Sequence, residues 1–433
     1  MAVEMSTPGQ AAPTLDEVIA GEELTFVERQ PRSRQLRERA SRSLAGGVTS
    51  SWQITTPQAV WISHGSGSKI FDVDGNEYVD LMCSFGPVIL GHRHPAVEAA
   101  VSAQLAKGDT QAGPAPCMVE LAELLVERVS HADWAMFAKN GSDANTICLM
   151  IARAATGRNK VLAARGAYHG SAPWSTPVVK GVTPEDRASV HYYTFNDLAS
   201  VEAAAAAAAG DVAAIIVSPF KHDAGFDQEL VDPAFARGLR ALCDRIGAPL
   251  VLDEVRAGFR LNHGGSWETL GVEPDLSAWS KAIANGYALA AVLGGAGLAE
   301  AASSIFVTGS FWYQAAPMAA ALATIAALRE QDAVASMLQR GIRLREGLEE
   351  QARSAGVAIC QTGPPQMPNV RFVGDESFER SGLFSGTCAA GGVIVHPRHN
   401  WFVSAALTDE DVDDALATTE VAFAAVRGQF GES

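Results

Sequence analysis

Two residues carry most of the chemical potential of this sequence. Asp253 lies near the end of the run PLVLDEV, a stretch too apolar to bury a carboxylate without a partner. Lys281 stands 28 residues later, in DLSAWSKAIANG. A buried carboxylate and a buried amine admit two readings. They can form a structural ion pair, or never meet at all. Alternatively, the lysine forms a Schiff base with an aldehyde cofactor while the carboxylate keeps a pyridinium nitrogen protonated. These two residues alone leave both readings open.

Shorter motifs add to the second reading. Asn140-Gly141-Ser142-Asp143 precedes a helical stretch from Ala144 to Ala155. Gly141 permits close backbone approach, and Ser142 can cap the helix while neighbouring N–H groups meet an anion. Tyr168-His169-Gly170 follows the run KVLAAR. An aromatic ring there can stack on a flat ligand or simply pack. His92 and His94, in GHRHP, have no third ligand at metal spacing, so they read as structural and no metal is expected.

Several elements must position these groups. Short apolar runs recur at 160–165, 212–220, 249–255 and 289–295, separated by helical spacing such as DPAFARGLRALCDRI (232–246). Runs apolar on both faces belong to strands covered on both sides, so an α/β fold with a mostly parallel central sheet is expected. Upstream, WISHGSGSKIFDVDGNEYVD (61–80) alternates around an Asp74-Gly75 turn and reads as a hairpin. Helices are expected from Pro95 to Lys107 and from Met118 to Val129. The alanine run at 203–209 reads as a solvated helix. Beyond about residue 320 the chain turns helical. It then gives short strands (NVRFVG, VIVHPR, WFVSAAL) and a last helix from Asp409, the pattern of a smaller α+β domain. Residues 1–35 read as an arm or a loosely packed helix.

Composition bounds the function. The chain has 433 residues, 48% hydrophobic and 19% charged, the balance of a folded protein of two or three domains. Its net charge of −16 argues against nucleic acid and anionic membrane as partners. Six dispersed cysteines without CxxC spacing argue for reduced thiols. No apolar run has membrane-helix length, and the first residues lack the basic-then-apolar order of a signal peptide, so a cytoplasmic protein is expected.

With FDVDGNEYVDL, SFGPVILGHRHP, NGSDAN, AYHG, LVLDEVRAGFR and GVEPDLSAWSKAIANG in this order, the sequence resembles the class III, fold-type I pyridoxal-phosphate aminotransferases. The resemblance is to the branch that includes glutamate-1-semialdehyde aminomutase and some β-amino-acid transaminases. The likeness runs from about Gly46 to Ala422, and the last two motifs are the most specific.

The resemblance implies roles for particular residues. Lys281 would be the Schiff-base lysine and proton shuttle, and Asp253 the partner of the pyridinium nitrogen. Val255, two residues on along the strand, would press on one ring face. Tyr168 would stack on the other, with His169 in that neighbourhood. Gly141 and Ser142 would hold the phosphate. In the family a hydroxyl residue of the neighbouring subunit completes the phosphate site; in VTGSFWYQAAP it aligns with Ser310, with Thr308 as the alternative. A homodimer with shared active sites follows. So does a division into an arm and part of a small domain (1–80), a large cofactor domain (81–325) and a C-terminal small domain (326–433). The reaction implied moves an amino group from an amine or amino acid to a pyruvate-like keto acid.

Departures narrow the substrate. Ser218-Pro219 stands where many relatives carry Glu-Pro, which argues against an ω-amino-acid donor. Gln314-Ala315-Ala316-Pro317 replaces the aminomutase pattern Ser-Gly-Asn-Pro, which argues against intramolecular transfer. Arg398, in HPRHNW, falls where β-amino-acid transaminases place a carboxylate-binding arginine, and Trp52 and Phe85 are candidates to line the substrate pocket. The aromatic run Phe311-Trp312-Tyr313 suggests a bulky or apolar amine. An aminomutase and a catalytically silent cofactor-binding paralogue are the alternatives.

Overall fold

The computed structural model describes residues 21, 24–53 and 58–431, so most of the expected N-terminal arm lies outside the described residues. The apolar runs do form strands, and seven strands make the central sheet. In chain order they are β1 (Trp134–Ala138), β2 (Lys160–Ala164), β3 (Val190–Tyr193), β4 (Val212–Val217), β5 (Leu250–Asp253), β6 (Leu276–Trp279) and β7 (Ala290–Gly294). Across the sheet the order is β1-β7-β6-β5-β4-β2-β3. Neighbours from β6 through β3 are parallel, while β7 runs antiparallel to both β6 and β1. Side chains of β4, β5, β6 and β7 are buried throughout, as strands covered on both faces require.

Helices cover the sheet. Helix α1 (Gly141–Thr156) follows β1. Helix α2 (Pro233–Ile246) starts where Asp232 accepts a 2.7 Å bond from the Ala234 N–H, with Pro233 at its first position. It ends at Gly247 in the left-handed conformation. Its buried face is Phe235, Ala236, Leu239, Leu242 and Cys243, at helical spacing. The alanine run is helical over Leu198–Ala207, capped by Asp197, with Val201 and Ala204 turned inward.

The hairpin forms as expected, with 69–72 paired antiparallel to 77–80 and Gly75 at φ 95°. Its last strand also pairs with Val393–Ile394, so the two ends of the chain share one small sheet. The C-terminal helix α5 (Asp409–Phe430) reinforces this union. Asp411 completes a capping box with Thr408 and also accepts a 2.8 Å bond from the buried Ser68 Oγ. Before it come α3 (Ala315–Glu330) and α4 (Ala333–Ala355), which bury Met318, Ile325, Met337, Leu344 and Leu348 in the core shared with the large sheet.

The segment WFVSAAL is not a strand. Its N–H groups bond alternately to Pro368 and Gln366 on one side and to Leu81 and Ile89 on the other. It is extended but alternates between two neighbours, so no ladder forms. No helix among the described residues is long and apolar enough to cross a membrane.

Candidate active site

Asp253 and Lys281 stand at the same edge of the sheet. Asp253 ends β5 and sits opposite Ala278 of the parallel β6, and Lys281 lies just beyond the end of β6. In parallel sheets the crevice outside the carboxyl ends of the strands is where ligands bind.

Asp253 is 4% exposed, and its charge is met by three donors. Oδ2 accepts from His169 Nδ1 at 2.7 Å and from Asn145 Nδ2 at 2.9 Å, and Oδ1 accepts from the Val255 N–H at 3.1 Å. Asn145 also donates to the His169 carbonyl at 3.0 Å, which fixes the loop that carries the imidazole. The His169 ring is backed by Trp174 in a stacked arrangement and leaves its Nε2 without a partner. His169 thus supports the aspartate. Tyr168, next to it, is 37% exposed, and burial raises its pKa.

The helix α1 terminus differs from the expected arrangement in one respect. Asn140, not Ser142, is the cap. Its side chain accepts from the Asp143 N–H at 3.0 Å while Asp143 Oδ2 accepts from the Asn140 N–H at 3.2 Å. Both Asn140 and Ser142 can cap, and the carboxylate three residues after Asn140 decides between them. This leaves the N–H groups of Gly141 and Ser142, among the first four of the helix, outside the intrahelical ladder. The Ser142 Oγ accepts from the Ser171 N–H at 2.9 Å. Two glycines let the backbone close in here. A Cβ on Gly141 would lie 2.7 Å from Val255 Cγ1, and one on Gly170, at φ 118°, would lie 2.3 Å from Ser142 Oγ. Val255 is past the end of β5, so it reaches the helix terminus from a turn rather than from the strand.

Lys281 is half-buried, with its backbone in the left-handed region at φ 50°. Burial brings its pKa from 10.5 down to about 7; the Arg256 cation pushes the same way and Asp253 opposes. Arg256, which the sequence reading gave no role, is 8% exposed, and its Nη1 donates to Asn400 Oδ1 at 2.6 Å and to the His222 carbonyl at 3.3 Å. His222 and His399 are buried beside it and held neutral, chiefly by burial and then by the Arg256 charge.

Trp52 and Phe85 meet His396 and His399 in an aromatic box. Ring centroids lie 5.9 Å apart for Trp52–Phe85, 5.4 Å for Trp52–His396 and 5.4 Å for Phe85–His399. Phe85 ends a run of three left-handed residues, Cys83 to Phe85, held by Asp80 Oδ1 accepting from the Met82 and Cys83 N–H groups at 2.8 Å. Arg398 is exposed, and its guanidinium stacks 4.8 Å over Phe378. Thr308 and Ser310 are exposed as well, flanked by Phe306 (87% exposed) and Phe311 (59%). Ser218 is buried with an unpartnered Oγ. His92 bonds Asp80 at 2.8 Å and His94 bonds Gln331 at 3.0 Å.

Residues 53–363 match the family Aminotransferase class-III. The chain is 47% identical over 402 residues to an aminopentol aminotransferase of Sphingopyxis macrogoltabida, covering 92% of this chain and 95% of that one. It is 34% identical to a glutamate-1-semialdehyde 2,1-aminomutase of Desulforudis audaxviator, covering 90% and 97%. The structure superimposes with a TM-score of 0.90 on the PLP internal aldimine form of the FumI protein of Sphingopyxis sp. MTA144, at 47% identity, covering 92% of this chain and 96% of that one.

Proposed function

We infer from membership of the chain in the class III aminotransferases, which makes it a pyridoxal-phosphate enzyme moving an amino group from an amine to a keto acid, that the groups gathered at the carboxyl edge of β5 and β6 perform this transfer. The observation that carries the assignment is the pair at that edge: a buried carboxylate with three donors and a lysine whose amine is half neutral near pH 7.

The residues fit the cofactor. The uncapped N–H groups of Gly141 and Ser142 suit a phosphate, and the two glycines open the backbone around them. Asp253 keeps lone-pair capacity on Oδ1 for a protonated ring nitrogen. When bound, pyridoxal phosphate supplies an aldehyde for the amine and an electron sink for the carbon that loses its proton. Lys281 Nζ takes that proton and returns it, a task suited to an amine that titrates near neutrality. Asn145 and His169 hold Asp253 ionised and oriented. Val255 and Tyr168 would bound the ring of the bound cofactor on its two faces.

The donor we propose is a bulky amine without a carboxylate, of the polyhydroxylated kind named for the Sphingopyxis macrogoltabida relative. Trp52 and Phe85 offer it apolar contact, and the buried Ser218 Oγ leaves the Glu-Pro position without a charge. We also propose a homodimer in which Ser310, or Thr308, reaches the partner's phosphate. The exposed Phe306 and Phe311 beside them support burial against a second copy. The proposed domains are 1–80 with 326–433 around the small shared sheet, and 81–325 around the large one. A cytoplasmic setting fits the absence of disulfides among the six cysteines.

A donor panel against pyruvate, read by bleaching of the yellow cofactor, tests the reading. Bulky amino alcohols should outpace small ω-amino acids, and Lys281→Ala should abolish turnover. Turnover independent of any added keto acid would favour the aminomutase instead.

A further inference from the structure

Two arginines are buried near Lys281, and they differ in one respect. Arg260 has both terminal nitrogens engaged: Nη1 donates to the Val403 carbonyl at 2.6 Å and Nη2 to the Gly86 carbonyl at 2.8 Å, with its guanidinium over Phe402. It ties three segments together through both terminal nitrogens, and only its enclosed Nε lacks an acceptor. Arg256 has only Nη1 engaged. Its Nε is enclosed without an acceptor, and its Nη2 makes no hydrogen bond and is not among the enclosed atoms. The edge formed by Nε and Nη2 is therefore the side of the guanidinium that no described residue satisfies.

A buried cation without an anion in contact is costly, and such groups persist where a ligand completes them. The acids that act on Arg256, Asp253 and Asp223, do so through space without an ion pair to it among the described residues. Asp253 is occupied by His169 and Asn145. His222 and His399, its neutral neighbours, neither compete for an anion nor repel one. Arg398, the arginine that sequence position favours for a carboxylate, is turned onto Phe378 at the surface.

We propose that Arg256 is the carboxylate anchor of the keto-acid acceptor, held in place by Asn400 through Nη1 and keeping a Nε–Nη2 edge that no described residue satisfies. This rests on the aminotransferase reading and deepens it: the donor is gripped by apolar rings, the acceptor by one buried charge. The two half-reactions then use different parts of one cavity. An amine without a carboxylate never needs Arg256, and a keto acid always does.

The test compares pyruvate with propanal, which lacks the carboxylate, as acceptors for the holoenzyme in its pyridoxamine form. In Arg256→Gln the ratio of kcat/KM for pyruvate to that for propanal should fall at least about 30-fold, the scale for a buried charge pair losing one partner. Calorimetric binding of propionate, a dead-end monocarboxylate, to the pyridoxal form should weaken by a similar factor. Arg398→Gln should leave both quantities within about twofold. If Arg256→Gln does not fold, Arg256→Lys keeps the charge and loses the two-donor edge, and the ratio should still fall about tenfold. A ratio and a propionate affinity unchanged in either Arg256 variant, or lost in Arg398→Gln instead, overturn the proposal. Propionate binding needs no turnover, so it separates this failure from failure of the aminotransferase reading.

Discussion

The amine of Lys281 must be unprotonated to attack an aldehyde, so the rate at which cofactor-free enzyme takes up pyridoxal phosphate should follow its titration. The structure lowers the pKa from 10.5 to about 7, mainly by burial and then through the Arg256 cation. At about pH 7.5 an amine titrating near 7 is roughly three-quarters neutral, whereas an ordinary lysine is neutral in about one part per thousand. The accelerating effect of the site at that pH is therefore about 700-fold from ionisation alone. Stopped-flow absorbance of the yellow product should give a rate rising about tenfold per pH unit below pH 7 and flat above about pH 8. The phosphate of the cofactor titrates near 6, so pyridoxal without the phosphate serves as the control for that ionisation. In Arg256→Gln the inflection should move upward, because a cation that disfavours the ammonium form is gone. A wild-type rate still climbing through pH 9 to 10 would refute the reasoning, since it would mean that the fold leaves Lys281 as an ordinary surface amine.

Two other perturbations follow from the same geometry. Gly170→Ala forces a Cβ to 2.3 Å from Ser142 Oγ at φ 118°, so cofactor retention on dialysis should drop at least tenfold while the circular dichroism of the sheet persists. Glu254 has its pKa raised from 4.5 to about 8 by burial, against hydrogen bonds from Ser266 that favour the charged form. The folded state therefore holds a proton that the unfolded chain releases, so its contribution to stability is complete below about pH 4.5 and is lost as pH rises through about 8. Glu254→Gln removes this dependence, and thermal melts should show the variant gaining on the wild type steadily from pH 5 to pH 8.5.

Much of the candidate site was legible because apolar runs announce strands, and a charged residue inside one has few reasons to be there. Asp253 stands out on that ground, and the motif order supplied Lys281. Asn145 did not, because an amide on a helix carries no pattern of its own; its only signal is a position one turn inside α1, on the face that also buries Ala144 and Cys148. Arg256 was hidden in plain view within LVLDEVRAGFR, since an arginine after a strand usually reaches solvent. The direction of β7 was illegible too. A run buried on both faces looks the same read from either end, so nothing in LAAVLGG distinguishes a reversed strand from a parallel one. The strands Trp134–Ala138, Val190–Tyr193 and Leu276–Trp279 are not among the runs read from the sequence; His191 and Ser277 break the apolar run in two of them.

The left-handed backbone at Lys281 has a consequence for the economy of the whole molecule. At φ 50° any side chain with a Cβ crowds its own carbonyl, a conformation that glycine alone adopts freely. Every molecule thus carries a small torsional load at the position proposed to supply the reactive amine. A glycine there would yield a sturdier but inert protein, so thermal endurance and turnover pull against each other at a single codon, and screens that reward heat resistance alone would drift toward dead variants.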